Sequence, residues 1–201
     1  RYNDVTLKSL PVNQLPGVAS ILKDTNGNLW FGMANGVTRY NGRTWTTVPF
    51  IVSHIAYGMS YVDDQSGNAV LSIHEDKLGD LYFGDLYGNL HVISPGDFKS
   101  VLRQYSVHVF YAFIGGTILR PIWAIAEENS GNLWLGTQNG AKLYRKSGPL
   151  IPASDPSAKD FPVRAILKDA NGYLWFGTDG AGISIYQGES INISCLIRDA
   201  N

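Results

Sequence analysis

Residues 21–40 read ILKDTNGNLWFGMANGVTRY, and the same frame returns as IHEDKLGDLYFGDLYGNLHVI at 73–93, IAEENSGNLWLGTQNGAKLY at 125–144 and ILKDANGYLWFGTDGAGISIY at 166–186. An aliphatic residue is followed three positions on by an acid, then a Gly, a Leu-aromatic pair, two further Gly and an apolar-ended stretch. A repeat of this length means a stack of small supersecondary units, each burying its apolar faces against its neighbours. Each copy reads as three short strands joined by two turns. Gly27, Gly79, Gly131 and Gly172 suit a left-handed turn position, where a Cβ would clash. The middle strand is Leu29-Trp30-Phe31 and its counterparts, apolar on both faces, as expected of a sheet packed between two other sheets. Gly32, Gly84, Gly136 and Gly177 close that strand where backbone approaches backbone.

In the first copy Asn41-Gly42 turns the chain into a fourth strand over Arg43–Thr47. The expected fold is therefore all-β: a β-propeller fragment of about four four-stranded antiparallel blades. Blade cores fall at about 18–47, 70–94, 122–144 and 163–186, with partial blades at 1–10 and 193–201. A β-sandwich would alternate inward and outward residues and would not repeat its sequence. Leu196–Asn201 matches Ile166–Asn171, and Arg1–Asp4 matches Arg39–Gly42, so the natural protein is expected to continue into a larger ring. The turn glycines are 52, 52 and 41 residues apart, whereas a four-stranded blade needs about 40–45. The excess falls in two long aromatic connections, Phe50–Asn68 and Ser106–Pro121.

Composition narrows the function. The 201 residues carry 16 basic and 17 acidic side chains with no run of either, so neither a nucleic acid nor a membrane surface is an expected partner. Cys195 is the only cysteine, which excludes an intramolecular disulfide. The longest apolar stretch, Val107–Gly116, is too short to span a bilayer. Asp24-Thr25-Asn26-Gly27-Asn28 has the acid-and-amide spacing of a calcium loop, but Gly stands fourth rather than sixth and Asn35 stands where a bidentate Glu is needed. No His pair has metal-ligand spacing, and no nucleophile elbow, zinc-protease or phosphate-loop motif occurs. No metal, no cofactor and no catalytic residue are expected.

Asp24, Asp76, Glu128, Asp169 and Asp199 recur before the same turn, as acceptors for turn N–H groups rather than as a ring of ligands. The adjacent acids Glu127 and Glu128 point to opposite faces and do not converge. Trp30, Trp134 and Trp175 belong to the inter-blade core, while Trp123 and Trp45 lie outside that position. His74 and His91 read as core or rim residues. The connections are the variable parts over a rigid scaffold, so His54, Tyr57 and Tyr61 in one, and His108 and Tyr111 in the other, are the candidate ligand contacts.

The pattern I-x-x-D-x-x-G-x-L-W-F-G-T-x-x-G, carried most fully by Asp169–Gly182 and Asp24–Gly42, resembles the two-component regulator propeller repeat. Tyr82, Asp85 and Glu128 depart from it, and Gly79–Ser94 also resembles quinoprotein-type propeller repeats. The resemblance implies a periplasmic or extracellular sensor region of a bacterial signalling receptor. It implies a small-molecule or oligosaccharide ligand and no catalysis. Two other readings stand beside it. One is a propeller lyase of the streptogramin type, which would need a His and an acid converging on the central channel. The other is a protein-interaction platform, with a homodimer formed through the blade edges.

Overall fold

The computed structural model describes residues 17–34, 36–49, 53–56, 59–62, 69–94, 108–111, 121–146 and 161–188, with backbone alone at 49, 53–56, 59–62 and 108–111. All regular structure among them is β. The first sheet holds β1 (Val18–Lys23), β2 (Leu29–Met33), β3 (Gly36–Tyr40) and β4 (Trp45–Pro49) in that order. A hairpin of β5 (Ser53–Ala56) and β6 (Met59–Val62) follows. The second sheet holds β7 (Val70–Glu75), β8 (Leu81–Asp85), β9 (Asn89–Ile93) and β10 (His108–Tyr111). The third holds β11 (Ile122–Glu127), β12 (Leu133–Thr137) and β13 (Gly140–Tyr144), and the fourth β14 (Val163–Lys168), β15 (Leu174–Thr178) and β16 (Ile183–Tyr186). Every pairing is antiparallel.

These are propeller blades. Successive sheets approach most closely through their first strands, β1 to β7, β7 to β11 and β11 to β14, which therefore lie nearest the axis. One correction to the sequence reading follows. The stretch Ser106–Pro121 is not one open connection, because β10 within it is the outer strand of the second blade. The third and fourth blades show three strands each among the described residues.

The doubly apolar middle strands do what their composition requires. Trp30 and Phe83 meet between the first and second blades, with ring centroids 5.7 Å apart, and Trp134 meets Phe176 edge-on at 5.4 Å between the third and fourth. Trp30 and Trp134 thus face the next blade, and Phe83 and Phe176 face the previous one. Three separate cores result, one per blade interface.

The glycine one residue before the end of β2, β8 and β12 sets the spacing to the next blade. A Cβ at Gly84 would lie 2.5 Å from Ile122 Cγ2, and one at Gly136 would lie 2.8 Å from the Val163 carbonyl oxygen. The first residue of one blade thus presses onto the glycine of the blade before it. Ser20 and Ser72 seal two of these contacts by donating hydrogen bonds to the carbonyls of Val70 and Ile122, at 3.3 and 2.9 Å.

Candidate functional site

The recurrent acid is a structural cap with two working oxygens. Asp24 Oδ1 accepts the Asn28 N–H at 2.7 Å, while Oδ2 accepts the Asn28 amide at 2.7 Å and the Trp30 indole N–H at 2.9 Å. Trp175 donates to Asp169 at 2.9 Å and Trp134 to Glu128 at 3.1 Å, and in the second blade the Tyr82 hydroxyl takes that place on Asp76 at 3.2 Å. Turn N–H bonds were the expectation; the aromatic donor six residues on was missed, although the Asp-x5-Trp spacing displays it. Burial pushes the Asp24 carboxyl up, but the bonds from Trp30 and Asn28 outweigh it and hold the group below the usual carboxylate range. The same balance lowers Glu128 and Asp76.

Ionisable groups concentrate at the junction of the second and third blades. Lys146 Nζ lies 2.6 Å from Asp76 Oδ2 and 3.3 Å from Glu127 Oε1, above the Tyr82 ring at 5.1 Å. His74 faces the same junction; burial holds its imidazole below the ordinary value, and the nearby Glu127 only partly offsets this. Glu127 and Glu128 diverge as expected, the first to Lys146 and the second to Trp134. In the second turn of the same blade, Asp85 repeats the cap geometry. It accepts from Asn89 N–H at 2.8 Å and lies 3.0 Å from His91 Nε2, with both side chains fully buried. This pair offers no reacting atom to solvent, and the His74 Nε2 is buried as well. Neither supplies the His and acid on an open channel that a lyase needs. Among the described residues no group of His, Cys, Asp and Glu could hold a metal ion.

The backbone of the expected ligand contacts divides between the two ends of the blades. In the β5–β6 hairpin His54 stands opposite Tyr61; Tyr57, between the two strands, lies outside the described residues. On β10 Tyr111 pairs with Asn89, at the end carrying the β8–β9 turn, and His108 pairs with Val92. Three residues of strand separate them, about 10 Å. His108 therefore sits toward the opposite face of the blade, and both are on the strand farthest from the axis.

The starts of β11 and β14 hold a group that sequence reasoning did not assign. The guanidinium of Arg164 on β14 lies 3.6 Å from the ring centroid of Trp123 on β11, and its Nη2 donates to Asp179 Oδ2 at 3.1 Å. Asp179 belongs to the β15–β16 turn, and its N–H bonds the Pro162 carbonyl at 2.8 Å. The group thus sits where first strands begin and second turns close. β4 also ends, and β7 also begins, at this end of the blades.

A stack of four radial antiparallel sheets defines a propeller of repeated sequence modules. The family model for the two component regulator propeller matches residues 118–139 and 160–180, which span β11 to β12 and β14 to β15. No curated protein matches the chain. Among solved structures it is similar to the extracellular domain of BT4673 from B. thetaiotaomicron, with TM-score 0.62 and 22% identity over 91% of this chain and 22% of that one. The extracellular domain of BT3049 from B. thetaiotaomicron, described as that of a hybrid two component system, gives TM-score 0.60 and 22% identity over 89% and 22% of the two chains. Virginiamycin B lyase from Staphylococcus aureus gives TM-score 0.66 and 16% identity over 91% and 56%. The chain spans about a fifth of the two B. thetaiotaomicron chains, and at these identities the likeness is one of fold.

Proposed function

We propose that this chain is a ligand-binding part of the extracytoplasmic sensor region of a bacterial signalling receptor, that it recognises an oligosaccharide, and that it carries no catalysis of its own. The match of the two component regulator propeller model to residues 118–139 and 160–180 carries this reading. The likeness to extracellular domains of signalling proteins supports it. The ligand lies at the end where first strands begin, over a scaffold made rigid by capped turns and glycine-spaced blades. His54, Tyr57 and Tyr61 contact it from the connection after β4, and Tyr111 extends the surface outward, while His108, toward the other end of β10, is left outside it. The remaining blades of the same protein complete the ring.

Calorimetry of the intact chain against a panel of oligosaccharides tests the reading. Tyr57→Ala and Tyr111→Ala are expected to weaken binding with the melting temperature unchanged. Affinity unaltered when both connections are replaced would count against these contacts, and turnover of a panel member would count against a non-catalytic role.

A further inference from the structure

The four first strands share one frame and one irregularity. They read Val18-Ala19-Ser20-Ile21, Val70-Leu71-Ser72-Ile73, Ile122-Trp123-Ala124-Ile125 and Val163-Arg164-Ala165-Ile166. The first position is aliphatic, the third is small and the fourth is always Ile. Only the second changes character, from Ala to Leu to Trp to Arg. At that same position the pairing to the next strand slips in every blade, between Val18 and Ser20, Val70 and Ser72, Ile122 and Ala124, and Val163 and Ala165. A β-bulge frees one residue from the ladder and re-aims its side chain. Four bulges in register on the innermost strands present Ala19, Leu71, Trp123 and Arg164 as neighbouring points of one arc. Val70, Ile122 and Val163 are buried against the preceding blade, whereas Leu71 and Trp123 are half-buried and Ala19 and Arg164 exposed, so the arc is freer to vary than the scaffold.

We infer that the bulged first-strand positions form the recognition arc of this propeller, with Trp123, Arg164 and Asp179 binding a neutral saccharide. The Arg164 guanidinium, 3.6 Å from the Trp123 ring centroid, covers one face of the indole, and its own outer plane offers a flat surface that fits the C–H face of a pyranose ring. Arg164 and Asp179, with side chains 51% and 60% exposed, set donors beside acceptors 3.1 Å apart. Adjacent ring hydroxyls, which both donate and accept, match that alternation. The pair has no net charge, so it gives an acidic sugar no net attraction over a neutral one. This rests on the sensor reading above and adds to it the residues and the class of sugar.

Calorimetry of the intact chain with neutral hexose oligosaccharides and with the corresponding uronic-acid oligosaccharides tests it. The substitutions are Trp123→Leu and Arg164→Ala, which install residues that other copies already carry at this position and so spare the fold. Each is expected to weaken binding of the neutral ligand about tenfold or more. Trp45→Ala, on the outer strand, is expected to leave it unchanged. Unaltered affinity in Trp123→Leu and Arg164→Ala overturns the arc while the sensor reading stands. Binding of the uronic-acid oligosaccharides alone overturns the neutral class. Binding of neither overturns the arc and the oligosaccharide reading together.

Discussion

The turn acid shows how much one side chain does in this molecule. Asp24 joins a turn N–H, an amide and an indole from the strand beyond, fixing the turn to the rib that fills the core. Bonds to an ionised acceptor are worth about 1.5–3 kcal/mol each, and a buried donor left without one costs about as much again. Asp24→Ala is therefore expected to lower stability by about 2–3 kcal/mol in chemical denaturation. Trp30→Phe removes only the indole bond and should cost about 1–2 kcal/mol. The acid-x5-Trp spacing was open to view in all but the second copy, where Tyr82 stands in, with Glu128 as the acid in the third. The Asp85–His91 pair was harder to foresee: it occurs once, so no repetition marks it.

At the scale of the element, the middle strand is read from both sides and its closing glycine from one. Gly84 and Gly136 leave no room for a methyl group, since Ile122 and Val163 of the following blade already fill that space. Gly84→Ala is expected to destabilise by about 2 kcal/mol or more, because backbone and branched side chains must move. At Gly177 an added Cβ would meet nothing closer than Ala165 at 3.6 Å, ordinary contact. Gly177→Ala in this chain should therefore change the denaturation midpoint little, and equal losses at the two positions would overturn this account of blade spacing. That backbone approaches here was legible in the recurring glycine. Which atom approaches was not, because the partner is the first residue of a different blade 38 positions on in one interface and 27 in another. The outer strand β10 escaped notice for a related reason. His108–Tyr111 lies within an apolar stretch without alternation, and only its pairing with β9 shows it to be a strand.

For the molecule as a whole, stability is distributed over interfaces that each carry one core and one polar edge. The junction of the second and third blades is the pH-sensitive one, since His74 lies there among Glu127, Lys146, Asp76 and Glu75. Its folded pKa is depressed, so above the ordinary imidazole value the group is neutral in both states and costs nothing. As pH falls below about 6.5 the unfolded chain takes up a proton that the folded chain resists, and stability declines. A second, steeper loss follows below about pH 4, where the capping carboxylates Asp24, Asp76 and Glu128, lowered in the fold, must protonate. His74→Leu, the residue found at the same place in the first and fourth copies, should remove the upper limb and leave the lower. Melting temperature measured from pH 8 to pH 3.5 checks both. Ile21 on β1 and Leu167 on β14 are 65% and 67% exposed, while Ile125 and Ala126 in the equivalent places are buried between blades. By itself the sequence determined the repeat, the turns and the doubly apolar ribs, because each is a local pattern of period and backbone conformation that a single copy already satisfies. Only the tertiary structure decided which glycine meets which aliphatic residue, where His74 meets Lys146, and that Trp123 and Arg164 stack across a blade boundary. Those contacts join separate copies, and their geometry is set by how sheets stack around an axis, which no stretch of chain encodes alone.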